Sequence, residues 1–495
     1  MKSPAALLFF PLAVATGLAA GPRPNVVFFI VDDQSWMESS AYGGASVPTP
    51  QFDRLAREGV LFDHGYTSAP SCAPSRAAVL TGRNFWELEQ GAFIQGWLPK
   101  KFPLLPDLLE GAGYHAGFTG KGWGPGVDGP GGRSRNPAGT AWNAERRKPA
   151  EPGINPVDYA ANFAKFLDAR PDGKPFYFWV GTTEPHHPHD RRNHEKLGVP
   201  PADIRVPGFL PDTPGVRTHR ADYLYEVRHA DTTLGQVLKI LDDRGLASNT
   251  IVIATGDNGT PAPRAKADLY DWGVHVPFAV RWPARVAPGR RVADFVNFID
   301  VAPTLLQAAG VAIPEGMSGR SFLNVLDDGA SGQVDPSRTW TATGLEWHGR
   351  TLAGRMIRDA RHLYVVNYDL PFGTPTNSPR KSDDDFALSA ETSDVTALLL
   401  DHPRHPAVSQ FVQLINGPRP REELYDCVAD PCQLTNLAAR ADVQPVLARL
   451  RKTLEDYQRK TGDPRITGDM EAFDRTRAFV DKRKKADYKD PQPEY

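Results

Sequence analysis

A cysteine, Cys72, stands directly before the first turn of a predicted helix. Pro74 is compatible with a first helical turn, residues 77–80 continue the helix, and Gly82 favours its end. The N-terminal end of a helix presents unpaired backbone N–H groups, and Arg76, four residues beyond Cys72, adds a guanidinium. A thiol, or a group made from it, would therefore face groups that bind an anion. A small buried cysteine ahead of an ordinary helix is the alternative for these residues alone.

Other polar side chains follow apolar runs that have the character of buried strands, as in a parallel sheet. Four such runs cover residues 25–31, 114–119, 175–180 and 250–255, and they are followed in that order by Asp32 and Asp33, by Lys121, by His186, and by Asp257 and Asn258. Predicted helices fall between the runs. The sequence therefore predicts an α/β fold in which helices sandwich a mostly parallel sheet.

The ligands of such a sheet collect at the carboxyl ends of its strands, so we expect these polar groups to meet at one edge. Asp32 and Asp33 are two adjacent carboxylates at the end of a buried strand, which indicates a bound cation. Taken alone, Asp257-Asn258-Gly259 is equally typical of a turn. Because these residues are expected at the same edge as Asp32 and Asp33, a metal site is favoured over a simple turn.

The string that begins at Cys72 resembles the signature of the type I, formylglycine-dependent sulfatases. Its fixed positions are matched by Cys72, Pro74, Ser75, Arg76, Leu80, Thr81, Gly82 and Arg83. In that family a separate maturation enzyme oxidises the cysteine to formylglycine, whose hydrate is the nucleophile. The resemblance is strong to about Gln307 and looser afterwards, and it implies an alkaline-phosphatase-like fold.

The resemblance also implies a set of ligands and catalytic groups. One calcium ion would be bound by Asp32, Asp33, Asp257, Asn258 and the modified Cys72, all of them oxygen donors of the kind that a hard cation prefers. Arg76 and Lys121 would hold the sulfonyl oxygens, and His186 with Lys266 would protonate the leaving group. Contacts to the rest of the substrate are expected from His187 and from Arg264, with Lys266 as the alternative to Arg264.

One position departs from the family pattern. Relatives carry a histidine shortly after the lysine of the third strand, where this chain has Trp123 after Lys121 and Gly122. That histidine is thought to take the last proton of the reaction. Either His187 or His189 replaces it, or the turnover of the sulfated intermediate is altered.

Residues 32–43, 49–62 and 257–264 look most like those of the heparan N-sulfatases, or sulfamidases. The expected reaction is therefore hydrolysis of sulfate from a sulfated saccharide, with an N-sulfoglucosamine unit as the favoured substrate. The alternatives are an O-sulfatase acting on carbohydrate or aryl sulfate esters and a phosphoester hydrolase of the same superfold. A phosphoester hydrolase of this kind would usually have Thr or Ser at position 72 and ligands for two metal ions. A non-catalytic protein that binds sulfated glycans is favoured if Cys72 stays a thiol.

Composition and the N-terminal residues limit the partners and the location. The 495 residues carry a formal net charge of -2, which argues against nucleic acid as a partner because such binding needs a basic face. Residues 1–20 predict a signal peptide, and a membrane anchor is less favoured because Pro11 and Gly17 break a short apolar run. We expect an exported protein, secreted or periplasmic, that is compatible with a homodimer.

The length of the chain, and the change in its pattern of strands and helices towards the C-terminus, predict more than one hydrophobic core. A catalytic domain is expected over residues 21–335 and a smaller α+β subdomain, built on an antiparallel sheet, over 336–474. Residues 475–495 form a charged tail without a core pattern, expected to be peripheral or partly disordered. In an oxidising compartment Cys427 and Cys432 could form a disulfide, with two free thiols or a metal pair as alternatives.

Overall fold

The computed structural model describes residues 22–148, 150–348, 351–368 and 381–485. The predicted signal peptide lies outside these ranges, as do residues 486–495 of the predicted tail. Across the described part of the chain, no helix has both the length and the apolar character that crossing a bilayer requires.

A seven-stranded sheet forms the centre of the molecule, with the strand order β3-β4-β1-β5-β6-β2-β7. All neighbouring strands are parallel except at β6, which runs antiparallel to both β5 and β2. The strands are β1 (Asn25–Val31), β2 (Val60–Tyr66), β3 (His115–Gly120), β4 (Phe176–Gly181), β5 (Thr250–Gly256), β6 (Phe278–Arg281) and β7 (Arg290–Asn297).

Helices cover both faces of this sheet and pack around a second, smaller one. They are α1 (Pro50–Arg57), α2 (Cys72–Thr81), α3 (Leu105–Gly111), α4 (Tyr159–Asp168), α5 (Asn193–Leu197), α6 (Pro214–Asp243), α7 (Asp271–Val274), α8 (Val301–Ala308), α9 (Leu323–Asp327), α10 (Phe386–Thr392), α11 (Val395–Asp401), α12 (Ser409–Asn416), α13 (Gln444–Lys460), α14 (Pro464–Thr467) and α15 (Glu471–Lys485).

Strand β1, which lies between β4 and β5, shows why the apolar runs form a sheet covered on both faces. Successive side chains of a strand point to opposite faces, and alternate residues of β1 belong to two separate hydrophobic clusters. One cluster contains side chains of α2, α3 and α8, and the other contains side chains of α4 and α6. Each apolar side chain buried in this way contributes about 1.5–3 kcal/mol. The predicted sandwich of helices around a mostly parallel sheet is confirmed.

Two strands of the large sheet were not predicted. Strand β2 is interrupted in sequence by Asp63 and His64, and β7 begins with two arginines. Neither therefore forms the continuous apolar run that identifies a buried strand. Both nevertheless lie in the sheet, where Tyr66 of β2 pairs with Asn297 of β7.

The smaller sheet is antiparallel, as predicted, with the order β11-β10-β9-β8. Its strands are β8 (Trp340–Trp347), β9 (Thr351–Asp359), β10 (His362–Asn367) and β11 (Glu422–Asp426). The expectation of a coreless tail from residue 475 is wrong for its first part, because α15 continues to Lys485. Phe473 and Val480 of this helix are fully buried and pack in the same cluster as Phe93.

The disulfide expected between Cys427 and Cys432 is not formed among the described residues, where both are free cysteines. Cys427 is buried in a cluster with Tyr66 and Tyr425. Cys432 packs against a different cluster, which contains Trp272. The two side chains thus belong to separate parts of the core.

Candidate active site

Helix α2 places Cys72 at the carboxyl edge of the large sheet. Ser71 precedes the helix in an extended conformation, and Gly82 ends it with a φ of 65°. Every residue of α2 is buried, so the helix is fixed on all sides. The Cys72 sulfur lies 3.4 Å from Asp32 Oδ1, 4.0 Å from Asp33 Oδ1 and 3.8 Å from Asn258 Nδ2. The strand ends and the signature helix therefore meet at one point, as predicted.

The two adjacent aspartates leave β1 through an unusual backbone turn. Asp33 has a φ of 70°, a left-handed conformation that non-glycine residues rarely adopt. Its N–H donates to Asp257 Oδ1 at 3.0 Å, and its carbonyl accepts from the Tyr223 hydroxyl at 3.0 Å. Strain of about 1–3 kcal/mol at such a residue persists only where its surroundings hold it, which is common at functional sites.

Three cations face three carboxylates in the site. Lys121 Nζ lies 2.5 Å from Asp32 Oδ2, and Lys266 Nζ lies 2.6 Å from Asp33 Oδ2. Arg76 Nε lies 2.8 Å from Asp257 Oδ2. The charges of these six buried side chains balance, so a divalent cation added here would leave the site with a net positive charge.

The same contacts set the protonation of the site. Burial, together with the neighbouring Asp33 carboxylate, acts to raise the pKa of Asp32. Lys121, His186 and Arg76 act in the opposite direction, and their combined effect is larger, so the pKa of Asp32 is held at about 2. Burial and then the Asp32 carboxylate raise the pKa of the Cys72 thiol to about 12. Burial acts to lower the pKa of Lys121, yet Asp32 outweighs it and the pKa is raised. Asp32 is thus an anion and the unmodified Cys72 a neutral thiol, which is a poor nucleophile.

The donor set fits a hard cation. One potential ligand atom from each of Asp32, Asp33, Cys72 and Asp257 lies within 4.8 Å of all the others. Asn258 Oδ1 is buried and has no hydrogen-bond partner, an arrangement that normally carries a cost of about 1–3 kcal/mol. The Cys72 sulfur occupies the place that an oxygen of formylglycine would take. With that oxygen the group would consist of oxygen donors alone, which suits Ca²⁺.

A donor for an anion lies beside these ligands. Arg76 Nη1 donates to the carbonyl oxygens of Lys121 and Gly122 at 2.7 and 3.1 Å. Its Nη2 lies 4.0 Å from Asp32 Oδ1 and is buried without a hydrogen-bond partner. Arg76 therefore has one free donor next to Cys72, at the positive end of α2.

Of the neighbouring histidines, His186 approaches the centre. Its Nε2 lies 3.9 Å from Asp33 Oδ2, and it forms a group with Asp32 and Cys72 whose ligand atoms are within 4.8 Å of one another. His189 Nε2 instead bonds to the Pro185 carbonyl at 2.9 Å, and burial with nearby His187 lowers the pKa of His189 to about 3. His187 is exposed, and its ring lies 4.2 Å from that of His189.

Trp123 occupies the region where relatives carry a histidine. It is buried in the core, its backbone N–H donates to Asn136 Oδ1 at 3.0 Å, and its backbone carbonyl accepts from Asn136 Nδ2 at 2.9 Å. Neither His187 nor His189 makes a contact with Cys72 among the described interactions. The replacement of the missing histidine by one of these two stays a prediction.

Arg264 and Lys266 are separated in space although they are two residues apart. Lys266 binds Asp33, whereas the Arg264 guanidinium lies 3.7 Å from the centre of the Tyr270 ring and donates to the Gln433 carbonyl. Arg264 and Ala267 both have positive φ values, 64° and 66°, so the segment turns sharply between them. Arg264 thus joins the large sheet's loops to the C-terminal region.

Three groups that support the site were not predicted. Ser75 Oγ donates to the Asp257 carbonyl at 2.5 Å, and Tyr223 binds the carbonyl of Asp33. The Glu184 carbonyl accepts from the Asp32 N–H at 3.2 Å. The Glu184 side chain is buried and accepts from the Asn155 N–H and the Tyr159 hydroxyl, at 2.8 and 2.9 Å. Its place in the polar string that ends β4 is the one sequence signal that could have identified it.

A cavity of about 120 Å³ adjoins the centre. Its lining includes His187 and His189, the Tyr223 side chain, the loop of residues 260–263 and residues 394–396. Tyr223 links this cavity to Asp33, and His187 links it to the strand end that carries His186. The cavity can therefore accept the part of a substrate that extends away from Cys72.

A protein-family model described as Sulfatase matches residues 24–311. N-sulphoglucosamine sulphohydrolase from Homo sapiens is 29% identical over 497 residues, covering 92% of this chain and 93% of the relative. An ulvan-active sulfatase from Formosa agariphila is 27% identical over 456 residues, covering 90% of this chain and 82% of the relative. A solved structure of a protein with its substrate D-glucosamine-2-N,6-O-disulfate has a TM-score of 0.66 at 19% identity, covers 89% of this chain and 98% of that chain, and has the same fold.

Proposed function

The chain belongs to the sulfatase family, and on that premise we propose that it is an exported enzyme that hydrolyses sulfate from a sulfated saccharide, using a formylglycine made from Cys72. The observation that carries this proposal is the position of Cys72 at the positive end of α2, 3.4 Å from Asp32 and within reach of three cations. Export rests on residues 1–20, and the modification requires a maturation enzyme as a partner.

Charge supports sulfate as the group that is bound. The three carboxylates and three cations of the site cancel, so one bound Ca²⁺ would leave two positive charges for an anionic sulfate group. Arg76 Nη2 is a buried donor without a partner and would bind a sulfonyl oxygen. Lys121 lies on the other side of Asp32 and would bind a second one. Donors that are already in place stabilise the charge that develops during reaction.

When present, Ca²⁺ and the formylglycine hydrate would supply an activated hydroxyl nucleophile. The protein's own residues would do the remaining work. His186 lies on the side of Asp33 and, with Lys266, would give a proton to the departing oxygen or nitrogen. Asp33 positions both of these donors, because its Oδ2 lies 3.9 Å from His186 Nε2 and 2.6 Å from Lys266 Nζ.

An N-sulfoglucosamine unit is the substrate that we favour. Support comes from the human relative, an N-sulphoglucosamine sulphohydrolase, and from the solved structure that holds D-glucosamine-2-N,6-O-disulfate. The cavity lined by His187 and Tyr223 would accept the sugar ring. Because the ulvan-active relative acts on a different material, an O-sulfatase is the second candidate.

A phosphoester hydrolase is less favoured. Among the described residues, each group of three or more His, Cys, Asp or Glu side chains placed to hold a metal includes Cys72. A two-ion phosphoester site would need a further set of ligands about 3.5–4 Å from the first. The residues present fit one ion.

The test is sulfate release from a panel of saccharides by the full chain produced with a maturation enzyme. We expect the highest kcat/KM on an N-sulfated glucosamine, less on its O-sulfated isomers, and a Cys72 peptide about 18 Da lighter than that of cysteine. Cys72→Ala should abolish release. Cys432→Ala is the matched control and should retain it.

The outcomes separate the candidates. Release from O-sulfated sugars alone would select the second candidate. An active preparation whose Cys72 peptide is unmodified would contradict the proposed nucleophile. Phosphate release that exceeds sulfate release on matched esters would favour the phosphoester hydrolase.

A further inference from the structure

A histidine of the smaller sheet contacts the residue that stands directly before Cys72. His348 follows the end of β8, and its Nδ1 lies 2.9 Å from Ser71 Oγ. Ser71 is fully buried, and His348 is half-buried. The two residues are 277 positions apart in the sequence, so this contact joins the start of α2 to the C-terminal subdomain.

The Ser71 hydroxyl is not used in the way that is usual for a serine in this position. A serine directly before a helix normally accepts a hydrogen bond from one of the first backbone N–H groups of that helix. Ser71 has the extended backbone of such a residue, but its hydroxyl makes no capping hydrogen bond to α2, a helix that is described throughout. Pro74, in the first turn, has no N–H to donate. The hydroxyl is paired with His348 instead.

Strand β8 runs beside the segment that leads into α2. The Thr343 hydroxyl donates to the Thr67 carbonyl at 2.7 Å, and the Gly344 N–H donates to the Ser68 carbonyl at 3.3 Å. The contacts advance along both segments in the same direction and reach His348 at the end of β8. The start of α2 is therefore aligned on the smaller sheet over several residues, and His348 makes the contact closest to Cys72.

Buried ion pairs hold the end of β8 in place. Glu346, two residues before His348, is fully buried, and its carboxylate oxygens lie 2.8 Å from Arg355 Nη2 and 2.6 Å from Arg465 Nη2. Arg355 Nε in turn lies 2.6 Å from Asp463 Oδ2. A buried polar network whose members are paired makes the surrounding structure rigid. His348 thus extends from a fixed support.

The opposite side of the same segment contacts the loop that carries Lys266. The Pro70 carbonyl accepts from the backbone N–H of Ala267 at 2.9 Å. Residues 67–71 therefore lie between β8 and this loop, and a shift of these residues would move Cys72 relative to the groups around it. A misplacement of about 1 Å can slow a reaction about 100-fold.

We propose that His348 is a positioning residue for the nucleophile made from Cys72, a role that rests on the proposed function. Its hydrogen bond to Ser71 fixes the start of α2 against the smaller sheet, and so fixes the nucleophile relative to the aspartates. His348 acts through Ser71 and not on the substrate. Loss of the imidazole therefore lowers kcat and leaves KM nearly unchanged.

Steady-state kinetics test this role in enzyme produced with a maturation enzyme and matched for formylglycine content by mass spectrometry. We expect His348→Ala and Ser71→Ala each to lower kcat by about ten-fold or more, with KM within about two-fold of the wild type. The double variant should be no slower than either single variant, because both changes remove the same hydrogen bond.

Two further variants serve as the rescue and the control. His348→Asn keeps a side-chain group that can bond to Ser71 and should recover most of the kcat. His362→Ala removes a half-buried histidine at the turn between β9 and β10 of the same sheet and should match the wild type. An unchanged kcat in His348→Ala, a raised KM with unchanged kcat, additive losses in the double variant, or no recovery in His348→Asn would each overturn the proposal.

Alkylation of unmodified Cys72 separates this proposal from the proposed function. In protein made without the maturation enzyme, the rate at each cysteine is read by mass spectrometry of its peptide. Only 1% of Cys72 is exposed, and we expect His348→Ala to alkylate it about five-fold faster or more than the wild type. Cys427, which is buried in a different cluster, is the internal reference and should keep its rate.

The two proposals can therefore fail independently. If the wild type releases no sulfate from any saccharide, the proposed function fails, and faster alkylation of Cys72 in His348→Ala still supports the positioning role. If Cys72 is alkylated at the same rate in His348→Ala and in the wild type, the positioning role is wrong even where sulfate is released.

Discussion

Arg76 Nε lies 2.8 Å from Asp257 Oδ2, and neither side chain is exposed to solvent. This ion pair joins the second turn of α2, the helix that begins at Cys72, to the residue that directly follows strand β5. The Ser75 hydroxyl reinforces the connection by donating to the Asp257 carbonyl. The position of Cys72 over the aspartates thus depends on a buried pair of charges that also belongs to the site.

Arg76→Ala should therefore unfold more easily than the wild type. Removing one partner of a buried pair leaves an uncompensated charge, at a cost of about 3–5 kcal/mol. Urea denaturation followed by fluorescence measures the change. Arg57→Ala, an exposed arginine of α1, is the control and should be unchanged. If Arg76→Ala does not fold, Arg76→Lys should show an intermediate loss, and equal stability of Arg76→Lys and wild type would contradict the argument.

The sequence predicted the position of the site better than the detail of the sheet. Asp32, Lys121, His186 and Asp257 follow apolar runs, and the rule that ligands gather at the carboxyl ends of parallel strands brings such residues together. The structure has them around Cys72. This part could be predicted because it depends on topology alone.

Side-chain direction could not be predicted in the same way. Arg264 and Lys266 were alternatives for one role, yet positive φ values at Arg264 and Ala267 place the two side chains in different surroundings. Strand β2 was missed because Asp63 and His64 break its apolar run. The burial of a strand that carries polar residues depends on partners far away in sequence, which a local pattern does not show.

Calcium should stabilise the folded protein through Asp32. A ligand that binds only the folded state stabilises it by about 2.7 kcal/mol at one hundred times its Kd. We expect the Tm to fall with EDTA and to recover with Ca²⁺, and we expect Asp32→Ala to lose both this response and sulfatase activity. Asp456→Ala, at an exposed carboxylate of α13, is the control. A calcium response that survives in Asp32→Ala would show that the metal is bound elsewhere.

Glu226 should make the protein less stable as the pH rises. It is buried on α6, and burial and then neighbouring carboxylates, Glu184 first, raise its pKa from 4.5 to about 9. Between these two values the folded state holds a proton that the unfolded state has lost. Stability from this group is therefore complete below pH 4.5 and is lost as the pH rises to 9, by up to about 1.4 kcal/mol per pH unit.

Urea denaturation at pH 6 and pH 8 measures this dependence. In the wild type Asn193 Nδ2 donates to Glu226 Oε1 at 3.2 Å. Glu226→Gln keeps an acceptor for this hydrogen bond but removes the titrating carboxyl group. The free energy of unfolding of this variant should therefore change less between pH 6 and pH 8. Glu195→Gln removes an exposed carboxylate of neighbouring α5 and should keep the wild-type dependence. If Glu226→Gln and the wild type lose stability equally, Glu226 is not the group that titrates.

Two buried tyrosines of similar burial should respond in opposite ways to loss of the hydroxyl. The Tyr159 hydroxyl donates to Glu184 Oε2 at 2.9 Å and accepts from the Thr183 N–H at 3.1 Å. The Tyr177 hydroxyl is buried with no hydrogen-bond partner. Tyr159→Phe would remove this hydroxyl from Glu184 Oε2 and from the Thr183 N–H, two groups of the loop that carries His186. The free energy of unfolding should fall by about 1–3 kcal/mol. Tyr177→Phe removes an unsatisfied polar atom and should be neutral or slightly stabilising.

Activity extends this comparison to function. The Thr183 carbonyl also accepts from the backbone N–H of His186 at 2.9 Å, so loosening Thr183 displaces the histidine that we assign to protonation of the leaving group. We expect Tyr159→Phe to lower kcat several-fold on a saccharide substrate at a temperature where the variant is fully folded, as checked by circular dichroism. Tyr177→Phe, the matched control on β4, should keep the wild-type kcat. Equal kcat values for the two variants would mean that the Tyr159–Glu184 contact does not position His186.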